Sequence, residues 1–246
     1  IRDCLLSRGL GDVYKRQLNK LGISFVVVHC GGPRIKRELD KSNIQSKFVR
    51  GLRVTDEKMI KIVESVLIDF NNDIVDSLKK FGTDAISIHT KKNNIIEVAP
   101  ETKELGFVGM PKKINNRLIE KILNQKQVPI ISPLGLGNDN RSYNINGDTA
   151  AGAIAKSLKS RRLLLMTNVK GVLDKDKKLI NEISSSEVLN MVKDNTITEG
   201  MIPKINTCLD AVKNGVAAVG IIDGRKQHSI LFEIFSDKGS GTLIRK

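Results

Sequence analysis

The stretch Ile23-Ser24-Phe25-Val26-Val27-Val28-His29-Cys30-Gly31-Gly32-Pro33 decides the fold. Its apolar run, Ile23 to Val28, is short and rich in β-branched side chains, which predicts a strand buried on both faces. Two glycines end the run, and a polar stretch of helical character continues to about Lys41. The order is strand, glycine turn, helix. At such a junction the first N–H groups of the helix lack partners within it, and the helix dipole favours an anion there. Glycine lets that backbone approach a ligand closely. A tight turn with no ligand gives the same dipeptide, so both readings stay open at this point. A Walker A loop is excluded, because no Gly-Lys-Ser/Thr follows.

The same rhythm extends outward. From Thr55 to Phe81 apolar residues recur at helical spacing (Ile60, Val63, Leu67, Phe70, Ile74, Leu78), with Thr55 available as a cap and Gly82 as a stop. Short strands are predicted over 84–90, 95–99 and 128–132, with a helix over 115–125. A helix over 147–160 leads to a buried strand, 161–168, around Leu163-Leu164-Leu165-Met166. Helices over 184–194 and 201–214 precede a strand at 217–222, and a last helix, 228–235, leads to a strand at 242–244. Continuously apolar strands alternating with helices predict an α/β sandwich with a mostly parallel sheet. Ile1 to Gln17 departs from the pattern: it has no sustained period and resembles translated non-coding sequence at the ends of fragmentary gene assemblies. A genuine divergent arm is the alternative.

Composition bounds the function. The 246 residues, 40% of them hydrophobic, are enough for a large core. Three cysteines, Cys4, Cys30 and Cys208, show no metal-ligand spacing and fit a reducing, cytoplasmic setting. No run approaches the roughly 18–20 apolar residues of a membrane span. The net charge of +14 raises nucleic-acid binding, but the lysines are scattered and the aromatic residues are two Tyr and seven Phe, too few for stacking platforms. Neither nucleic acid nor membrane is expected as a partner. His29, His89 and His228 have no ligand spacing, so no metal site is expected.

Four further stretches carry chemistry. Gly51-Leu52-Arg53-Val54-Thr55 sets an arginine just before the long helix, where its planar fork suits a carboxylate. In Tyr143-Asn144-Ile145-Asn146-Gly147-Asp148-Thr149, strand-like alternation sends Asn144 and Asn146 the same way, and Asp148 falls at the start of an Ala-rich helix. Asp148 as a mere cap explains that residue and leaves the asparagines idle. Thr167 to Val172 follows a buried strand, the usual ligand position in open α/β sheets. Thr198-Glu199-Gly200-Met201-Ile202-Pro203-Lys204 puts a lysine in a helix's first turn, unfavourable against the dipole unless an acidic partner or an anion lies there.

In this order the motifs resemble the acetylglutamate kinases of the amino acid kinase family, over about residues 18–246. The resemblance implies a three-layer α/β/α sandwich with a central, mostly parallel sheet and two lobes. Residues 18–159 would hold the acyl amino acid and 160–246 would hold ATP. It further implies that Gly31, Gly32, Arg53 and Asn144 bind the acyl amino acid. Asn168, Val169, Lys170, Gly171, Val172 and Leu173, with Thr196, Ile197 and Thr198, match the nucleotide-binding stretches. Lys204 and Asp148 match the catalytic pair, the aspartate orienting the lysine, with Mg2+ carried by the ATP phosphates. Glu233 and Gly239 match an arginine-effector pattern, whereas Gly220 stands where a histidine is expected. Small-molecule substrates and a homo-oligomer are implied: a dimer through the N-lobe, and a hexamer only with an intact N-terminal helix.

Two departures stand out. The family opens with a strand bearing a lysine and a Gly-Gly turn, and residues 1–17 stand in its place, with Gly9, Gly11 and Lys15 in the wrong order; loss of that strand is expected to impair activity. Cys30 replaces a usual glycine. Alternatives are a kinase of carrier-linked aminoadipate or glutamate, and a catalytically dead nucleotide-binding homologue.

Overall fold

The computed structural model describes residues 22–197, 201–236 and 239–246, together with the backbone of residues 4–7. In chain order the elements begin with β1 (Cys4–Ser7), β2 (Phe25–Val28), α1 (Gly32–Lys41), β3 (Phe48–Val49), β4 (Leu52–Arg53), α2 (Glu57–Lys80) and β5 (Ala85–Ile88). There follow β6 (Ile96–Pro100), β7 (Gly109–Ile114), α3 (Asn116–Asn124), β8 (Val128–Ile131), β9 (Leu134–Leu136), β10 (Ser142–Asn144) and α4 (Gly147–Ser157). The last are β11 (Arg162–Thr167), β12 (Glu182–Ser184), α5 (Ser185–Lys193), α6 (Ile202–Lys213), β13 (Ala218–Asp223), α7 (Ser229–Phe235) and β14 (Gly241–Arg245). Two compact units result, Val26–Ala150 and a second made of Ala151–Lys246 with Ile1–Phe25. They part inside α4, a helix of small residues with no linker-like composition; the sequence reading drew its boundary after residue 159.

In the unit Val26–Ala150, β2, β8 and β5 run parallel in that order, with Val27 beside Ile130 and Ala85 beside Val128. All four residues of β2 and of β8 are buried, as their unbroken apolar runs require. Helix α2 packs on β5 and β8, and α3 packs on β8. The α2 stripe Met59, Val63 and Leu67 closes on Ile35 and Leu39 of α1 and on Leu134. Its cap is Asp56, whose carboxylate accepts from Lys58 N and Met59 N, rather than the expected Thr55. Thr55 is fully buried and donates instead to the Arg53 carbonyl at 2.8 Å. In a second sheet, in the order β10-β9-β6-β7, β6 answers to the strand read over 95–99 and β10 overlaps the strand-like stretch around Asn144, whereas β7, β9 and the hairpin β3–β4 have no counterpart in the sequence.

In the other unit the order is β12-β14-β13-β11-β1. β11 pairs parallel with β13, β14 turns antiparallel against β13, and α6 and α7 pack on β13. The expectation that the first strand is absent is corrected here. Cys4–Ser7 lies parallel to β11, with Leu5, Leu6 and Ser7 beside Leu163, Leu164 and Leu165. The exposed ladder of a buried parallel strand accepts any short extended segment, and four residues are too few to show a period. Gly9, Gly11 and Lys15 lie outside the described residues. Each unit thus carries a ladder of parallel strands covered by helices, as the α/β sandwich read from the sequence requires, and Val26–Ala150 adds antiparallel pairs in its second sheet and hairpin. Among the described residues no helix is long and apolar enough to cross a membrane.

Candidate active site

The glycine turn leaves the carboxyl end of β2. The last ladder bond there, His29 N to Ile131 O, is 3.3 Å. Gly31 caps α1, and Pro33 in the first turn costs no hydrogen bond. A side chain at Gly31 would put its Cβ 2.7 Å from Leu67 Cδ2, whereas a Cβ at Gly32 would meet nothing within 4 Å. Packing therefore explains the first glycine. The second leaves bare backbone facing open space, the arrangement a closely approaching ligand requires. Cys30 is accommodated because its Cβ lies 3.0 Å from where a Cβ on Gly147 would stand, so the two positions share the space of one side chain.

Arg53 ends the β3–β4 hairpin, its guanidinium 4.7 Å above the Phe48 ring and hydrogen-bonded to the Ser46 hydroxyl. Burial lowers its pKa, the mark of a partly desolvated cation. Asn144 is tied to the same neighbourhood. Phe107 N donates to Thr55 O at 2.7 Å, and Asn144 N donates to Phe107 O at 2.9 Å, so one short segment holds both ends. Gly106, which the sequence reading passed over, makes this link possible. It has φ +66°, and a Cβ there would lie 2.4 Å from Thr55 O.

Asn146, not Asp148, caps α4: its Oδ1 accepts from Asp148 N at 2.9 Å and Thr149 N at 3.1 Å. The cap reading of Asp148 is thereby corrected. An asparagine two residues earlier takes that role, and Asp148 stands in the first turn.

In the unit containing Ala151–Lys246, a cavity of about 420 Å³ is lined by Asn168, Val169, Gly171, Val172, Leu173, Thr196, Ile197 and Lys204. The sequence names each of these as a candidate; Thr167, from the post-strand stretch 167–172, and Met201, from the stretch ending in Lys204, line it as well. Lys170 does not line it, and Thr198 lies outside the described residues. Two fastenings shape the walls. Val172 N donates to Thr242 Oγ1 at 2.8 Å, and Lys175 pairs with Asp194 at 3.1 Å, beside Thr196. Lys204 stands at the third position of α6, a first turn without acidic residues. Its charge therefore opposes the dipole, which an anion in the cavity would offset.

Glu233 and Gly239 do lie together. A Cβ on Gly239 would be 2.8 Å from Glu233 Oε2, which accepts from Ser240 N at 2.8 Å, and Arg162 approaches the other oxygen to 4.0 Å. A second cavity, about 450 Å³, was not foreseen; it lies against α2 in the unit Val26–Ala150 around Glu64, Phe107 and Arg141. Among the described residues no cluster of three His, Cys, Asp or Glu is placed to hold a metal.

Residues 14–223 match the Amino acid kinase family. The chain belongs to the amino acid kinase family. It is 54% identical over 229 residues to the acetylglutamate kinase of Pelagibacter ubique (strain HTCC1062), spanning 93% of this chain and 80% of that one. Its identity to the acetylglutamate kinase of Methylobacterium nodulans is 44% over 243 residues, with the same coverage of 93% and 80%. Among solved structures, smu.665 from Streptococcus mutans UA159 superposes with a TM-score of 0.85 at 29% identity, covering 100% of this chain and 99% of that one. N-acetylglutamate synthase from Neisseria gonorrhoeae, with coenzyme A and N-acetyl-glutamate, gives a TM-score of 0.88 at 22% identity over 99% of this chain and 59% of its own, a likeness of fold.

For an amino acid kinase, the 420 Å³ cavity has suitable chemistry for a nucleotide. Val169, Val172, Leu173, Ile197 and Met201 offer an apolar bed for a base, while Asn168, Thr196 and Lys204 supply polar groups, within the usual size range of small-molecule pockets, about 300–1,000 Å³. The residues missed from sequence had weak signals. Gly106 is one glycine among 20, and Asn146 is identical in type to its neighbour Asn144.

Proposed function

We propose that this chain transfers the γ-phosphoryl group of ATP to the side-chain carboxylate of N-acetyl-L-glutamate. The observation that carries the reading is the cavity in which Lys204 shares one lining with Asn168, Val169, Gly171, Val172, Leu173, Thr196 and Ile197. The choice of substrate rests on identity to enzymes named acetylglutamate kinase at 54% and 44%. In this reading Ala151–Lys246 holds ATP, with Mg2+ kept by the phosphates themselves, and Val26–Ala150 holds the acyl amino acid.

A carboxylate is already ionised at neutral pH, so no general base is needed; one of its oxygens forms the new P–O bond as the bond from γ-phosphorus to the bridging oxygen of ADP breaks. What the protein supplies is position and charge. Arg53 grips a substrate carboxylate through its fork and Asn144 adds a polar contact. The Gly31–Gly32 N–H groups stand near the acceptor carboxylate, and Lys204 neutralises charge building on the phosphoryl oxygens. Asp148 takes the orienting role for that cation. We further read the protein as cytoplasmic and homodimeric, with Glu233 and Gly239 as contacts of an arginine effector. Residues 1–17 are read as standing where relatives carry a lysine and a Gly-Gly turn. Because β1 already fills the sheet, grafting those residues is expected to raise kcat more than stability.

A coupled ADP-release assay tests the substrate. Turnover is expected with N-acetyl-L-glutamate and not with N-acetyl-L-aspartate or a carrier-linked aminoadipate. Preference for the carrier-linked substrate, or ATP binding without turnover even after the graft, would overturn it.

A further inference from the structure

Asn71 sits in the middle of α2 and is fully buried, a position where asparagine is a poor helix former and an unsatisfied amide is costly. Its side chain explains the choice. Nδ2 lies 2.9 Å from Ile130 O, 3.0 Å from Ser132 Oγ, 3.3 Å from His29 Nε2 and 3.4 Å from Ile88 O. Oδ1 accepts from Ser87 Oγ at 2.7 Å. One amide therefore gathers the carboxyl ends of β2, β5 and β8, where open α/β sheets bind their ligands.

The polar cluster continues into the glycine turn. His29 Nε2 is 3.2 Å from Ser132 Oγ, and Ser132 Oγ donates to Leu67 O at 3.3 Å. Leu67, one turn before Asn71 on the same helix face, is the residue whose Cδ2 fills the space denied to a side chain at Gly31. The far side of the turn is held by the same helical segment. The Phe70 ring meets His29 edge-on at 4.9 Å and carries the Arg34 guanidinium 4.0 Å from its centroid, while Asp73 pairs with Arg34 at 2.5 Å. Two turns of α2, Leu67 to Asp73, thus grip the chain immediately before and after Cys30-Gly31-Gly32. The same helix begins just beyond Arg53, at its Asp56 cap, so it also sets the spacing between the arginine and the turn.

We propose that Asn71, acting through Ser132 and His29, is a positioning residue that holds the Gly31–Gly32 N–H groups where the acceptor carboxylate meets them. The proposal rests on the reading of that turn as part of the acyl amino acid site. Buried polar networks of this kind fix one geometry where an apolar core would tolerate several.

The test uses three variants of the full chain: Asn71→Leu, Ser132→Ala and Gly32→Ala. Asn71→Leu removes the hub at similar volume; Ser132→Ala removes one hydroxyl and folds even if Asn71→Leu does not. Loss of position is expected to lower kcat about 10- to 100-fold and to weaken N-acetylglutamate binding by calorimetry, with the KM for ATP moving less than about twofold. A fall in Tm with kcat, KM and affinity of the folded fraction unchanged would show a purely structural role and overturn the proposal. Gly32→Ala, which meets no protein atom, separates the two layers of inference. If Gly32→Ala abolishes activity while Asn71→Leu and Ser132→Ala leave it intact, the positioning proposal alone falls. If Gly32→Ala is fully active, the reading of the turn falls and this proposal with it.

Discussion

Lys204 and Asn146 show what a single residue discloses before and after the fold is known. A lysine in a helix's first turn is electrostatically misplaced, and that misplacement was legible in Met201-Ile202-Pro203-Lys204. The fold adds the cavity it lines. Lys204→Ala is expected to lower kcat by about 10²–10³ while leaving N-acetylglutamate affinity in place, measured by steady-state kinetics and calorimetry. Asn146 was illegible as a cap, because Asx residues cap helices and bind ligands with the same oxygen, and only backbone geometry separates Asn146 from Asn144. Gly106 was illegible for a related reason: its need for φ +66° beside Thr55 O is a tertiary fact.

At the scale of elements, the buried strands β2, β5, β8, β11 and β13, with β6, β14 and the long helices, announced themselves by their periods, and the shortest pieces did not. β9 and β10 have three residues each, β3 and β4 two, and the pairing of β6 with β7 passes through a bulge between Glu97 and Val98. Strands that short carry too few residues to establish alternation, and their pairing is set by neighbours distant in sequence. Yet these pieces carry Arg53 and Asn144. Helix α2 joins them to the glycine turn, and its start is the place to perturb. Asp56→Ala is expected to cost about 0.5–2 kcal/mol in urea unfolding, since two N–H groups lose their acceptor. The same change is expected to raise the KM for N-acetylglutamate by loosening the hairpin beside it.

The whole molecule responds to pH through groups held off their ordinary values. Burial pushes Glu64 up, but hydrogen bonds from Ser142 and Thr90 and the charge of Lys91 outweigh it, leaving its pKa below 4.5. A carboxylate depressed in the folded state contributes stability that is present above its unfolded pKa and lost as pH falls through the folded one. Asp194 and Asp223, lowered by hydrogen bonds from Thr196 and Arg225, act in the same direction. His89 is lowered from 6.5 by burial and by Lys92, so the unfolded chain protonates first as pH drops below 6.5. Stability measured by thermal unfolding is therefore expected to decline from about pH 6.5 downward and to fall most steeply below 4.5. A flat profile between pH 7 and 4 would contradict these environments.

The α/β class was readable at this scale because two periods, strand and helix, alternate along most of the chain. The place of Cys4–Ser7 beside β11 was not, because an open sheet ladder, rather than the segment's own sequence, recruits it. The most direct measurement of the central claim is the product itself: 31P NMR of the chain with ATP, Mg2+ and N-acetyl-L-glutamate, with hydroxylamine trapping as a check. The expected result is an acyl phosphate signal that appears with ADP, disappears into a hydroxamate on trapping, and is lost in Lys204→Ala. ATP consumed to ADP and inorganic phosphate with no hydroxamate formed, or an undiminished signal in Lys204→Ala, would contradict the assignment.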